Sequence, residues 1–273
     1  LLSLVSGRYV YWPVNIWAKS TVSNGKRMTD SEVIIFEKQN GTACITLNRP
    51  QALNAYNIKM RDELFEVLGA VRDDPDVEVI ILKGAGEKAF CAGADLTEFL
   101  TSPPPVFARQ VRFERNVWER FLSIDKPFIA ALHGYVLGSG IEMALCCDIR
   151  LASDDARFGL PEPGLGIIPA AGGSQTLPRV VGTAASLDML MSGRWMTAEE
   201  ARKIKLVNRI IPRENLVSEA EKMADRIKSC DSRAVRLAKQ AVTRGLDLTL
   251  AGGLGLEKTL YRRLAASKAG ENA

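Results

Sequence analysis

Two glutamates stand out as groups that could move protons. Glu142 lies in GSGIEMALCCD, where nearly every neighbouring side chain is apolar or small. A carboxylate held in a buried helix loses several kcal/mol of solvation unless it is paired or hydrogen-bonded. It is therefore either a structural acid, capping the chain or pairing with an arginine such as Arg150, or a catalytic one. Glu162 lies in RFGLPEPGLGIIP, clamped between Pro161 and Pro163. Burial beside such an apolar loop raises a carboxyl pKa towards the working pH, which suits acid–base transfer, whereas a turn acid facing water would do nothing of the kind. Two further segments, FCAGADL and LGSGIE, are small-residue turns in which backbone N–H groups can approach a ligand closely. They are either plain turns or the two halves of an oxyanion hole, whose donors are worth about 3 kcal/mol each to a developing enolate.

Other chemistries are excluded by the same residue inventory. His133, in AALHGY, is the only histidine, so a histidine-rich zinc site cannot form; it reads as a packed histidine at a strand end. GAGEKA, beginning at Gly84, imitates a dinucleotide fingerprint but runs into FCAGAD instead of opening a helix, and Ala89 stands where the third glycine would be. AGGLGLEKT lacks the Gly-Lys pair of a phosphate-binding loop, and no GxSxG elbow surrounds Ser139 or Ser174. The five cysteines, Cys44, Cys91, Cys146, Cys147 and Cys230, form no CxxC pair and fit a reducing compartment. Cys91 reads as a small core residue.

A chain of 273 residues with 47% hydrophobic and 25% charged content can bury one large core, and its net charge of +4 is too small and too dispersed to predict nucleic-acid binding. No uncharged apolar run approaches the roughly 20 residues of a membrane span. The elements that would position the candidate residues begin with VIIFEK and TACITL around Gln39-Asn40-Gly41, a predicted hairpin. Met60, Leu64, Val67, Leu68 and Val71 predict a helix over 54–72, stopped at Asp73-Asp74-Pro75. VEVIILKG and KPFIAALHGY read as buried strands, IEMALCCD as a short apolar helix, and Pro103-Pro104-Pro105 as the start of a helical stretch to about Leu122. Beyond Pro178 the pattern is helical except for the strand VNRIIP. This predicts an α/β core followed directly by helices.

Taken in order, RPQALNAY, KAFCAGADL, AALHGYVLGSGIEMALCCDIRLAS, RFGLPEPGLGIIPAAGGSQTLPR and SGRWMTAEEARKIKLVNRI resemble the crotonase, or enoyl-CoA hydratase, superfamily over roughly Val33 to Tyr261. The resemblance implies a spiral of ββα units followed by a helical trimerisation region, assembled as a homotrimer or a dimer of trimers. On that basis residues 28–200 would form the catalytic core and 201–273 the oligomerisation helices. Residues 1–27, free of acidic side chains and preceding Met28, would be an extension outside the fold or, alternatively, a transit peptide. The corresponding locations are the cytoplasm and the mitochondrial matrix.

By the same resemblance the N–H groups of Ala94 and Ser139 would hold the thioester oxygen. Ala52, Leu53 and Ala55 would line the coenzyme A site with Ala92 and Asp95 close by, and Gly138 and Ala170 would border the substrate. Glu162 would deliver a proton to the α-carbon of a 2-enoyl-CoA while Glu142 orients and activates water. No cofactor is implied beyond the coenzyme A of the substrate. The alternatives within reach are an enoyl-CoA isomerase, another acyl-CoA enzyme such as a hydrolase or decarboxylase, and a non-catalytic thioester-binding homologue. Three departures from the family pattern mark the chain: Ser139 for the middle glycine of GGG, Ala170 for the glycine after GIIP, and an ending at LAASKAGENA, short of the family's usual last helix. The acyl pocket is expected along the stretch from Thr97 to Trp118, including Phe107 and Phe113.

Overall fold

The computed structural model describes residues 33–99 and 115–271. The expected extension at 1–27, Pro103 to Pro105, Phe107 and Phe113 lie outside the described residues.

The hairpin forms as the sequence predicts: β1 (Ile34–Gln39) pairs antiparallel with β2 (Thr42–Leu47) through a turn in which Asn40 and Gly41 both have positive φ. The chain then makes a short 3-10 turn at Pro50–Ala52 before α1 (Ile58–Asp73). This helix starts four residues later than periodicity predicts. Leu53 and Asn54 both adopt left-handed conformations, at φ 52° and 55°, and Asn57 caps the helix by accepting the Met60 N–H. Met60, Leu64, Leu68 and Val71 are its buried face. At the other end the ammonium of Lys126, itself 1% exposed, donates to the carbonyls of Val71 and Asp74 and so satisfies groups the helix leaves open.

From here each turn of the chain contributes one strand to each of two sheets. β3 (Val79–Gly84), β5 (Phe128–Leu132), β7 (Ile149–Ser153) and β10 (Arg209–Ile211) extend β1 and β2 into a six-stranded sheet of order β1-β2-β3-β5-β7-β10, parallel after the hairpin. β4 (Ala89–Cys91), β6 (Tyr135–Leu137), β8 (Arg157–Gly159) and β9 (Met196–Thr197) form the second sheet in that order. KPFIAALHGY, read as one strand, is therefore two, β5 and β6, split between the sheets at His133-Gly134. Strands covered on both faces need no polar alternation, which is why β5 is FIAAL with every residue buried.

Helices α2 (Leu96–Phe99), α3 (Val117–Ser123), α4 (Ser139–Leu145), α5 (Gly173–Val181), α6 (Thr183–Ser192) and α7 (Ala198–Lys203) follow in the gaps between strands. Next, α8 (Leu216–Lys228) buries Leu216, Ala220 and Ala224, spaced by four, against Val79, Ile81, Ile129 and Leu151 of the large sheet. Finally α9 (Ser232–Gly245) and α10 (Leu250–Glu271) pack on each other, with Lys239 tying α9 to the core through the Lys126 carbonyl and the Asp148 carboxylate. This is the α/β spiral with C-terminal helices that the sequence resemblance implied.

Candidate active site

Glu142 sits one turn into α4, a helix buried over its whole length, and is 3% exposed. Its charge is met by backbone: Oε1 accepts the N–H groups of Ala171 and Gly173, both at 2.9 Å. The arginine that could have neutralised it is directed elsewhere, since the Arg150 guanidinium donates to the carbonyls of Leu206 and Cys147. Hydrogen bonds from two amides favour the ionised carboxylate. Ala170, expected to border the substrate, is exposed beside Ala171, whose N–H supplies one of these bonds. The readable signal for these amides was the glycine pair that opens α5, because a helix start presents unpaired N–H groups.

Glu162 begins a 3-10 turn at Glu162–Leu165, as the flanking prolines dictate. It is half-buried, and burial pushes its carboxyl pKa up. Oε2 is buried without a hydrogen-bond partner among the described residues. The other oxygen lies against Gly138, where a Cβ would stand only 2.9 Å from Oε1. Gly138 has φ 50° and ψ −119°, a backbone open to glycine and hostile to side chains. Ser139, the departure from an all-glycine turn, is by contrast the first residue of α4, a position any residue can occupy. The demanding positions are the two that are glycine, since a Cβ on Gly140 would stand 2.3 Å from the Cys91 carbonyl oxygen.

The two small-residue turns meet. A Cβ on Gly93 would be 3.4 Å from the Leu137 carbonyl and 3.9 Å from the Gly138 Cα. Ala94 is bracketed by Tyr56, whose N–H donates to the Gly93 carbonyl at 2.8 Å and whose carbonyl accepts the Asp95 N–H at 2.9 Å. In this parallel bridge the N–H of Ala94 itself points away from Tyr56. The N–H of Ser139, at a helix start, likewise has no intrahelical acceptor. Leu53 accepts the Ala92 N–H at 3.0 Å, so Ala52, Leu53 and Ala55 lie on the segment laid along Ala92 to Asp95. Tyr56, which the sequence reading passed over, is the residue that joins them. The structure thus brings Leu53, Ala92, Ala94, Gly138, Ser139 and Glu162 into one run of contacts, with Glu142 bonded through its N–H to the Gly138 carbonyl.

Neither remaining candidate takes part. Cys91 is fully buried and its thiol is pushed up to about 12 by burial, leaving no thiolate to react. His133 is buried and held down to about 4, first by burial and then by Arg213, so it is neutral. Among the described residues no group of three or more His, Cys, Asp or Glu side chains could hold a metal ion, and no helix is long and apolar enough to cross a membrane. Trp118, at the end of the expected acyl-pocket stretch, is half-buried with its ring 5.7 Å from Tyr56 and 6.3 Å from Phe121.

A family model described as enoyl-CoA hydratase/isomerase matches residues 37–272. The chain belongs to this family. Among its relatives, the crotonyl-CoA hydratase of Syntrophomonas wolfei is 40% identical, with the match covering 84% of this chain and 88% of that protein. The short-chain-enoyl-CoA hydratase of Clostridium acetobutylicum is also 40% identical, over 84% of this chain and 87% of the relative. The crystal structure of an enoyl-CoA hydratase from Bacillus anthracis superposes with a TM-score of 0.81 at 36% identity, covering 88% of this chain and 96% of that one.

Proposed function

We propose that this protein is an enoyl-CoA hydratase, a hydro-lyase that adds water reversibly and on one face to a 2-enoyl-CoA, giving the 3-hydroxyacyl-CoA. The observation that carries the reading is the contrast between its two glutamates. Glu142 is held by two amides that favour its anion; Glu162 has an unpartnered oxygen and a raised pKa that favour its acid. Two carboxyl groups in such different surroundings suit a reaction needing a base and an acid together.

In the proposed mechanism the thioester oxygen sits between the N–H groups of Ala94 and Ser139, which stabilise enolate character as the double bond is attacked. Glu142 orients water and takes one of its protons while the hydroxyl oxygen bonds to the β-carbon. Glu162 gives its proton to the α-carbon, and the proton on Glu142 returns to Glu162 before the next cycle. Ala52, Leu53, Ala55, Ala92 and Asp95 would border coenzyme A, with Gly138 and Ala170 beside the acyl group. The chemistry calls for no cofactor beyond the coenzyme A of the substrate.

The α9–α10 pair leaves Val242, Leu246, Leu250, Leu254 and Tyr261 more than half exposed, which supports burial against other subunits in a trimer or a dimer of trimers, to be measured by sedimentation. Its unpaired cysteines suit cytoplasmic acyl-CoA degradation. Supplying short 2-enoyl-CoA and 3-enoyl-CoA separately tests the reaction. The 2-enoyl thioester should yield 3-hydroxyacyl-CoA directly; product only from double-bond migration would overturn the reading in favour of an isomerase.

A further inference from the structure

Arg49 precedes the 3-10 turn in the segment RPQALNAY, and the hydration chemistry gives it no role. Its guanidinium and the carboxylate it meets are 15% and 14% exposed, so the pair is largely out of water. Nη1 donates to the Ala55 carbonyl at 2.6 Å and Nη2 to Asp95 Oδ2 at 2.9 Å. The other oxygen of Asp95 accepts the N–H and hydroxyl of Thr97, at 3.1 and 2.6 Å. Arg49 therefore ties together the two residues diagonally across the parallel Tyr56–Ala94 bridge, Ala55 before Tyr56 and Asp95 after Ala94.

The segment Arg49 belongs to is itself held against strain. Leu53 and Asn54 are consecutive left-handed residues, and Asn54, fully buried, fixes them with three bonds. It accepts the Arg49 N–H at 2.8 Å and donates to the carbonyls of Ala85 and Ala89 at 2.9 and 2.8 Å. Such conformations persist only where surroundings over-determine them. The backbone on the Arg49 side is thus a fixed frame, and the Ala94 side is a loop whose direction depends on its ties to that frame. A planar fork that binds a carbonyl and a carboxylate at once controls direction as well as distance, which a single contact does not.

We propose that the Arg49–Asp95 pair is a positioning element that sets the direction of the Ala94 N–H towards the thioester oxygen, acting through the Tyr56 bridge. The inference rests on the hydratase reading above. Removing an oxyanion donor outright costs a hundredfold or more in turnover. Misdirecting one should cost less: Arg49→Gln is expected to lower kcat by at least about tenfold while KM changes less than about threefold, because the bond tightens in the transition state. Arg49→Lys, which keeps charge but not the fork, should fall between, and Asp95→Asn should behave like Arg49→Gln. The double variant should be no worse than the poorer single one, since the pair acts as a unit.

The readout that a merely structural role would not move is the carbonyl stretch of a bound saturated acyl-CoA labelled at the thioester carbon. In the unmodified protein binding should shift it to lower frequency; the shift should shrink in Arg49→Gln and Asp95→Asn and stay whole in Glu162→Gln. Turnover in the parent protein with unchanged kcat and carbonyl shift in the variants overturns the proposal, as does a change in KM alone or a lower melting temperature with the shift intact. If Arg49→Gln does not fold, Arg49→Lys and Asp95→Asn decide by the same criteria. A parent protein that neither hydrates nor shifts the carbonyl would instead sink the hydratase reading.

Discussion

Replacing Glu162 with glutamine should slow the enzyme and stabilise it. The substitution keeps the size and shape of the side chain and removes only the titrating proton. If that proton goes to the α-carbon, hydration should fall at least about a hundredfold, which is about 2.7 kcal/mol in the barrier. The stability effect follows from burial, which raises the pKa of Glu162 in the folded protein above its unfolded value. Between those two values the folded state binds more protons. The contribution of Glu162 to stability is therefore whole below the ordinary carboxylate pKa and is lost as pH rises through the raised one. Above the raised value the native state carries a charge on Glu162, whose Oε2 is buried with no partner among the described residues. Glutamine removes that charge. The gain should be about 1 kcal/mol, the low end for a buried unsatisfied polar group, because the side chain is only half-buried. For a domain of this size it corresponds to about 2–4 °C in Tm. Following loss of the enoyl thioester absorbance and thermal unfolding, both at neutral and at acid pH, tests both halves. Near-normal hydration, or a Tm gain that is larger in acid than at neutral pH, would refute the reasoning.

Gly138→Ala should leave a folded protein with little activity, because the new Cβ meets Glu162 Oε1 at 2.9 Å and the Gly93 Cα at 3.4 Å in a backbone conformation alanine resists. A displacement of about 1 Å here is worth roughly a hundredfold in kcat, and kcat within twofold of the parent would contradict the geometry. Lys126→Met should do the opposite, sparing kcat at low temperature while lowering stability by about 2 kcal/mol, since the Val71 and Asp74 carbonyls lose the buried ammonium. An unchanged melting temperature would show that those carbonyls find water instead. Gly173→Ala should weaken turnover at least about tenfold, because a Cβ would stand 2.9 Å from Glu142 Oε1 and displace the carboxylate.

How much of this was legible in the sequence depended on whether the information was local. The hairpin was readable from Asn40-Gly41 and the face of α1 from its spacing, because both are set by neighbours in the chain. The start of α1 was not, since the left-handed turn at Leu53 and Asn54 is held by the carbonyls of Ala85 and Ala89, 31 and 35 residues beyond Asn54. KPFIAALHGY looked like one strand because apolar content does not reveal that a chain changes sheets. For the site, Glu142 and Glu162 could be nominated from their surroundings, and only the family resemblance gave them different roles. What separates their surroundings is the Ala171 and Gly173 amides on one and, among the described residues, a buried Oε2 without a partner on the other, and those are tertiary facts.

The two glutamates also depend on each other's segments in a way that explains why the glycines around them matter. Gly138 immediately precedes the helix carrying Glu142, yet the side chain it makes room for is Glu162. Gly173 opens the helix that follows the Glu162 loop, yet the side chain pressed against it is Glu142, with Oε1 2.9 Å from where a Cβ would be. Each acid is thus seated by a glycine belonging to the other acid's part of the chain. A shift of either segment would move a carboxyl group and the backbone that confines its counterpart at the same time. The separation between the two acids is consequently set by backbone contact, which is stiffer than side-chain packing. This arrangement suits a reaction in which a water molecule and a carbon atom must meet two carboxyl groups at once, because the tolerance for misplacement at both is a fraction of an ångström.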